Sequence, residues 1–580
     1  MLHANEKTKD ISDSDLILCF GYYPEVLSKD MAVYIAAYSV LKESNSKTTF
    51  SKAKKLANEY DIVCVEDINM QNNLNNKNTV NEKDFNDNFN NFQPPQFNSR
   101  SSIIHIEANP PFYWVIFVIF IAVQIIFIII FGFYYSWDNK LNAPKNIDNN
   151  EEAKTDIKNK YQSLQDITLM IFLGFGFLRS FLKHYSWSSI IFTLIGGIFC
   201  FEFAFIIIIA WGALLKKQWI DGYYNFDYFY DAIYITASLI ISFGSYSGKL
   251  SLAQFFIVII IETIFSTLNY ILIRKSLNLI DIGGTLTVHL FGAVFGCSFS
   301  IISYCSKNEK ERISTSIHLG YDHNSNLFAL FGSLIIIPYW PSFNTALVNG
   351  NQKYRGIINT YFSVGGSIIG MFAMSHLLNN KKMKIEDLIH ASFPGAIIIG
   401  GCCHIIKEFY VCILLGLLAS IMSSLCIYLF YRKLKINEKG YHDTSQVLFY
   451  HGIPAILGGI FSTIFTGNLN NWKKNIEKYS DFKYKMFIGT FQNIYQNITD
   501  YKGDVNVSGK AGAMIGGLFL TILIAAFSGL VVGFAVKFCL CNIAWRYFND
   551  SEFFDVSEDE PFPWIDERVE LKFEDKIKTK

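Results

Sequence analysis

In a chain of 580 residues that is 51% hydrophobic and 16% aromatic, charged side chains make up only 17%, too little for a soluble protein of this length. Lys plus Arg and Asp plus Glu balance at 50 each, so the chain lacks the basic surplus of a nucleic-acid binder. The class that remains is a membrane protein.

Residues 1–69 form a polar extension. Between Asp15 and Glu66, strand-like stretches (LILCFGY, DIVCVED) flank helix-like ones (KDMAVYIAAYSVLK, FSKAKKLANEY), the pattern of a small α/β module. So short a stretch makes a marginal core, and folding on a partner or against the membrane part stays open beside independent folding. The linker 70–112 begins MQNNLNNKNTVNEKDFNDNFNNFQPPQFN, rich in Asn and poor in aliphatic residues, and is expected to be a disordered tether. No cleavable signal peptide is expected: the first apolar run is short and has Asp10, Asp13 and Asp15 ahead of it where a basic segment would stand.

From Tyr113 onward, apolar runs of about 20 residues recur, each long enough to cross a hydrocarbon core as a helix. About twelve are expected, near 113–134, 166–183, 189–214, 228–247, 252–273, 284–305, 326–348, 357–378, 386–405, 408–431, 446–466 and 510–541, within a membrane domain at 113–544. An even count puts both termini on one side. The short loops on that side carry more Lys and Arg, with Lys381, Lys382 and Lys384 in one of them, which predicts cytoplasmic ends. The sequons at Asn497 and Asn506 then fall in a long outer loop as glycosylation candidates. The cysteines lie mostly within predicted helices, so no disulfide framework is expected, and Cys402 with Cys403 reads as small apolar packing before metal or redox chemistry. Residues 545–580 form an acidic cytosolic tail, solvated by default, with Phe553, Phe554 and Trp564 as candidate docking anchors.

Two segments of this apolar chain share a polar spacing. DIGGTLTVH runs from Asp281 to His289 and DTSQVLFYH from Asp443 to His451. Eight residues of helix rise about 12 Å, so an Asp near one membrane face puts its His toward the bilayer centre. That depth is costly for an ionised ring, and two neutral imidazoles are expected there. Each Asp alone is also an ordinary helix cap, and each His alone an interhelical hydrogen bond. The spacing nevertheless occurs twice, entering the sixth and eleventh spans from opposite sides. This is the pattern of an inverted repeat with a site near the midplane.

The residues around these motifs resemble the Rhesus (Rh) glycoprotein branch of the ammonium transporter superfamily. The resemblance runs from about Val115 to Gly533 through AVQIIFIIIFGFYYSW, YQSLQDITLMIFLGFGFLRSFLK, FGSYSGKLS, DIGGTLTVHLFGAVFG, YWPSFNTA, INTYFS and HGIPAILGG. It implies an all-α polytopic fold, an eleven-helix bundle with an inverted 5+5 repeat plus one extra N-terminal helix, assembled as a homotrimer with a pore in each subunit. It implies pore histidines at His289 and His451, repeat aspartates for ammonium recruitment or structure at Asp281 and Asp443, and an outer gate of Phe343 with Tyr234 where the family has Phe. Asn344, beside the gate, is a pore-adjacent candidate. Glu202 and Glu262 stand where the family has Gln, and His390 where it has Asn. The two carboxyl groups read as paired or protonated structural groups, with attraction of cations as the sharper alternative. His184, His376 and His404 lie near helix ends and read as interfacial; no metal ligand spacing is present, and no cofactor is expected.

The expected function is a non-enzymatic channel-type transporter of the plasma membrane. Ammonium sheds its proton at the aromatic gate, and ammonia crosses along the two imidazoles. Methylammonium is a further candidate substrate. Rival readings are a carbon dioxide channel and an ammonium sensor coupled through the N- or C-terminal segment to a cytosolic partner. An enzyme is disfavoured because the histidines lack a Ser or Cys at nucleophile spacing, and there is no phosphate-loop motif.

Overall fold

The structure is a computed structural model that describes residues 110–137, 151–182, 185–216, 222–224, 226–250, 252–303, 323–348, 350–435, 441, 443–467, 507–539 and 550. The extension 1–69, the linker up to 109, Asn497, Asn506, His184 and the aromatic anchors of the tail lie outside the described residues.

Among the described residues, ten helices are long and apolar enough to cross a membrane. The continuously apolar α1 (Pro110–Tyr134) sits on the rim. Its Phe120 and Phe127 pack edge-on or tilted against Phe199 and Phe256, while Ile121, Ile128 and Phe133 stay exposed, the state of a lipid-facing helix. A three-residue strand β1 (Tyr135–Trp137) follows and pairs in parallel with β2 (Gly222–Tyr224), a small addition to the all-helical expectation. Glycine is needed in β2 because a Cβ at Gly222 would come within 2.4 Å of Ile209 and 2.6 Å of the Tyr135 ring.

Five spans make the first half. They are α2 (Glu151–Thr168, prolonged by the π-turn Leu169–Gly174 and Phe175–Leu178), α3 (Ser186–Lys216), α4 (Phe226–Tyr246), α5 (Leu252–Tyr270, ending in the π-turn Ile271–Ser276) and α6 (Phe291–Ser303, preceded by the π-turn Thr285–Leu290). The second half repeats the plan with α7 (His323–Thr345), α8 (Gly350–Leu378), the pair α9 (Ile385–Ile389) and α10 (Phe393–Gly400), α11 (Phe409–Ile427, ending in the π-turn Tyr428–Lys433) and α12 (Ile453–Gly467, preceded by the π-turn Leu448–Gly452). The last helix, α13 (Val507–Cys539), packs on α5, α6 and α12.

Two of the twelve expected spans are absent from the ten, and both are central. Every residue of α4 from Tyr230 to Tyr246 is buried, which lets it carry polar side chains that a lipid-facing helix would not. The stretch near 386–405 is broken into α9 and α10 around Pro394, a break tolerated in a membrane only where neighbours satisfy the freed backbone.

The halves match in detail. α5 and α11 both end in a π-turn, with Leu277 N donating to Leu272 O at 2.8 Å and Leu434 N to Leu429 O at 2.9 Å. Both are followed by a left-handed residue, Asn278 at φ 49° and Lys435 at φ 48°. The halves also dock across one another. Gly283 N donates to Gly400 O at 2.9 Å, seating the loop before α6 on the end of α10. Ser445 N donates to Gly244 O at 3.0 Å, seating the loop before α12 on the end of α4. Contacts this close need small residues: a Cβ at Gly332 in α7 would lie 2.2 Å from the Leu178 amide.

Of the acidic tail, Asp550 is described, and it is buried. Its carboxylate accepts from the amides of Trp187 at 3.0 Å and Ser188 at 2.8 Å, capping α3 from far along the chain.

Candidate functional site

Each motif aspartate sits where a loop turns into a π-turn. Asp281 accepts from Leu286 N at 3.1 Å, Thr287 N at 2.9 Å and Thr287 Oγ1 at 2.8 Å. Asp443 accepts from Leu448 N at 3.0 Å and from the Tyr441 hydroxyl at 3.3 Å. Their own carbonyls are held in turn, that of Asp281 by Arg274 at 3.0 Å and that of Asp443 by Tyr431 at 3.3 Å. These are caps on the first free amides of α6 and α12. Gly284, at φ +66°, makes the entry possible in the first motif.

The π-turns deliver the two histidines to one place. Nδ1 of His451 lies 3.3 Å from Nδ1 of His289, with ring centroids 5.5 Å apart and planes inclined by 26°. Both rings are buried, at 1% and 3% exposure. Two nitrogens at that distance require one ring to donate and the other to accept.

Aromatic rings close both sides of the pair. Toward the Asp281 end, His289 meets Phe343 at 5.8 Å and Trp340 at 5.7 Å between centroids. Tyr234 stacks on Phe343 at 4.7 Å and 19°, and both are buried. The Tyr234 hydroxyl donates to the Phe343 carbonyl. That carbonyl belongs to the last turn of α7, where no helical amide is available, so the hydroxyl is a cap. Toward the Asp443 end, His451 meets Phe393 at 5.0 Å and Phe175 at 6.4 Å. Phe393 also touches His390 at 5.4 Å, and His390 stacks on Tyr450 at 4.3 Å.

The other candidates are dispersed. Asn344 gives its amide to Ala396 O at 2.9 Å and Thr360 Oγ1 at 3.3 Å, bracing α7 against α8 and α10, while its side-chain oxygen is buried without a hydrogen-bond partner. Glu202 accepts from Gln124 of α1 at 2.8 Å, and Glu262 from Ser242 at 2.8 Å and Tyr246 at 3.3 Å, both away from the imidazoles. His376 is exposed, but His404 is buried at 3%, against the interfacial expectation, and its carbonyl accepts from Arg355 at 2.9 Å. Cys402 and Cys403 are buried free thiols, and no cluster of potential metal ligands occurs among the described residues.

Sequence reasoning missed several residues around the pair. Trp340 and Phe393 were hidden among many aromatics. Asp231, three residues before Tyr234, is paired with Lys275 at 2.9 Å and Tyr270 at 2.6 Å, and Asp166 accepts from Ser342, the neighbour of Phe343, at 2.6 Å. A lone Arg179 in an apolar run was a visible signal.

The arrangement has relatives. Ammonium transporter Rh type B of Oryzias latipes is 29% identical over 447 residues, covering 75% of this chain and 92% of the relative. Ammonium transporter Rh type C of Homo sapiens is 27% identical over 425 residues, 72% of this chain and 84% of the relative. The solved structure of Nitrosomonas europaea Rh50, described as one of the Rhesus protein family of channels, shares the fold with a TM-score of 0.56 at 22% identity, covering 74% of this chain and all of that one. The profile of the Ammonium Transporter Family runs from residue 119 to 540 and takes in both Asp–His motifs and the helices that hold them, so the chain belongs to that family.

Proposed function

We propose that the protein is an ammonium/ammonia channel in which ammonium gives up its proton at the aromatic pair Tyr234–Phe343 and neutral ammonia passes along His289 and His451. The observation that carries this reading is the contact between two buried imidazoles, flanked on both sides by aromatic rings.

A small cation loses its hydration in such a corridor, and apolar walls return nothing for it. Ammonium can escape that cost by leaving its proton behind, whereas potassium has no proton to leave. Ammonia still needs hydrogen-bond partners, and the imidazole nitrogens supply a donor and an acceptor. Asp281 and Asp443 support the path by fixing the π-turns that aim the rings. Asp231 and Asp166 place acidic groups beside the gate, on the side from which ammonium would enter.

The resemblance in the Rh motifs and the Lys and Arg bias of the loops support a homotrimer in the plasma membrane with both ends cytoplasmic. In that orientation the Asp281 end is outer and the Asp443 end inner. The test is reconstitution into liposomes with stopped-flow alkalinisation. Vesicles holding the protein are expected to admit ammonia, and more slowly methylamine, at least about fivefold faster than empty vesicles, with potassium excluded. Equal rates with and without protein would refute the reading, and selective acceleration of carbon dioxide would replace it with a gas channel.

A further inference from the structure

Arg179 lies within the membrane span Lys158–Phe181 and is 2% exposed. One nitrogen donates to Ile241 O at 3.3 Å, and the guanidinium carbon stands 5.4 Å from the centre of the Phe243 ring. Nε and Nη1 are buried without a hydrogen-bond partner, and no carboxylate forms an ion pair with it among the described residues. A guanidinium remains protonated at any physiological pH, and a permanent charge buried without an ion-pair contact is costly. Within a membrane such a group marks an ion or substrate pathway more often than it marks a fold.

Its place in the bundle is specific. Nη1 lies against α4 so closely that a Cβ at Gly244 would come within 2.6 Å of it. Gly244 is where the loop carrying Asp443 docks. One turn earlier on the same helix, Phe175 packs on His451 at 6.4 Å between ring centroids, so the guanidinium lies on the Asp443 side of the histidine pair. Of the other charged groups at this end, Asp443 lies within electrostatic range of Arg179 but makes no ion-pair contact with it. Oδ2 of Asp443 accepts from the Leu448 amide and Tyr441 while its Oδ1 has no hydrogen-bond partner, and Lys249 nearby donates from Nζ to Ser245 O at 2.8 Å. Glu386 accepts from Gln446 at 2.7 Å. Of the groups named at this end, Arg179 is the permanent cation.

We infer that Arg179 is a charge-selectivity residue, whose guanidinium, in ion-pair contact with no carboxylate and one turn from the Phe175 ring that packs on His451, repels ammonium, potassium and excess protons from the path while leaving ammonia unaffected. The inference rests on the channel reading above and adds that net transport is uncharged because of this residue. It takes neither proton nor substrate. Removing its charge should change what the path rejects.

The test compares wild type with Arg179→Met, Arg179→Gln and Arg179→Lys in proteoliposomes, measuring ammonia flux by stopped-flow and charge movement on a supported membrane after an ammonium jump. The readout is charge moved per ammonia moved. The Met and Gln variants are expected to raise that ratio at least about tenfold over wild type, and Arg179→Lys, which keeps the cation, to stay close to wild type. An unchanged ratio in a charge-removing variant that still conducts ammonia would overturn the inference and leave the channel reading intact. A ratio in Arg179→Lys as high as in Arg179→Met would overturn it as well, assigning the effect to lost packing. Absence of ammonia flux in wild type would instead overturn the channel reading itself.

Discussion

Tyr234, at the proposed gate, stands where the Rh resemblance implies Phe, and its hydroxyl donates to the Phe343 carbonyl. The sequence left two uses open for that oxygen, a contact with ammonium or a bond to a neighbouring carbonyl. Only the end of α7 at Thr345 decides between them, because it leaves the carbonyl of Phe343 without an amide. Tyr234→Phe should therefore preserve the ring stack and the ammonia flux within about twofold while losing roughly 1 kcal/mol of stability, as expected when one buried hydrogen bond is removed. Flux and melting temperature of the reconstituted variant check both parts. The histidines were legible from sequence because a polar ring in an apolar run is costly and rarely accidental. Trp340 and Phe393 were not, since a chain with 53 Phe and 9 Trp offers no way to tell which rings face the imidazoles.

The Asp, π-turn and His act together as one structural element used twice. The spacing predicted a regular helical rise between Asp and His, and the structure replaces part of it with a wide turn held by the aspartate. Asp281 accepts three bonds from that turn and its flanks, whereas Asp443 accepts one from the turn and one from Tyr441. Loss of a helix cap costs about 0.5–2 kcal/mol, so Asp281→Ala should lower thermal stability more than Asp443→Ala, each by an amount in that range. Equal shifts, or none, would show that the carboxylates do not organise the turns. Asp550 is a cap of another kind, supplied to α3 by the tail. Burial raises its carboxyl above the ordinary range, while the Ser188 and Trp187 bonds pull it back. Nothing in the tail's acidic composition singled out this residue.

At the scale of the whole molecule, ten of the about twelve expected spans and their order were legible from apolar length, and the twice-used Asp–His spacing announced the repeat. The depth of each span was not. α4 falls outside the ten apolar spans because of its polar side chains, Asp231 among them, and the α9–α10 segment because its two helices have only 5 and 8 residues. The crossing of α2 and α7 was equally hidden, since it depends on Gly332 meeting the Leu178 backbone. Gly332→Val should therefore force the helices apart and abolish a monodisperse assembly on size-exclusion chromatography, while Gly365→Val, at a glycine with open space around it, should leave it intact.

The central claim is that His289 and His451 carry the substrate as a pair. It is tested most directly by ammonia permeability of His289→Ala, His451→Ala and the double variant in liposomes at matched protein density. The account predicts a loss of at least about tenfold in each single variant and little further loss in the double. Wild-type permeability in the double variant would contradict it.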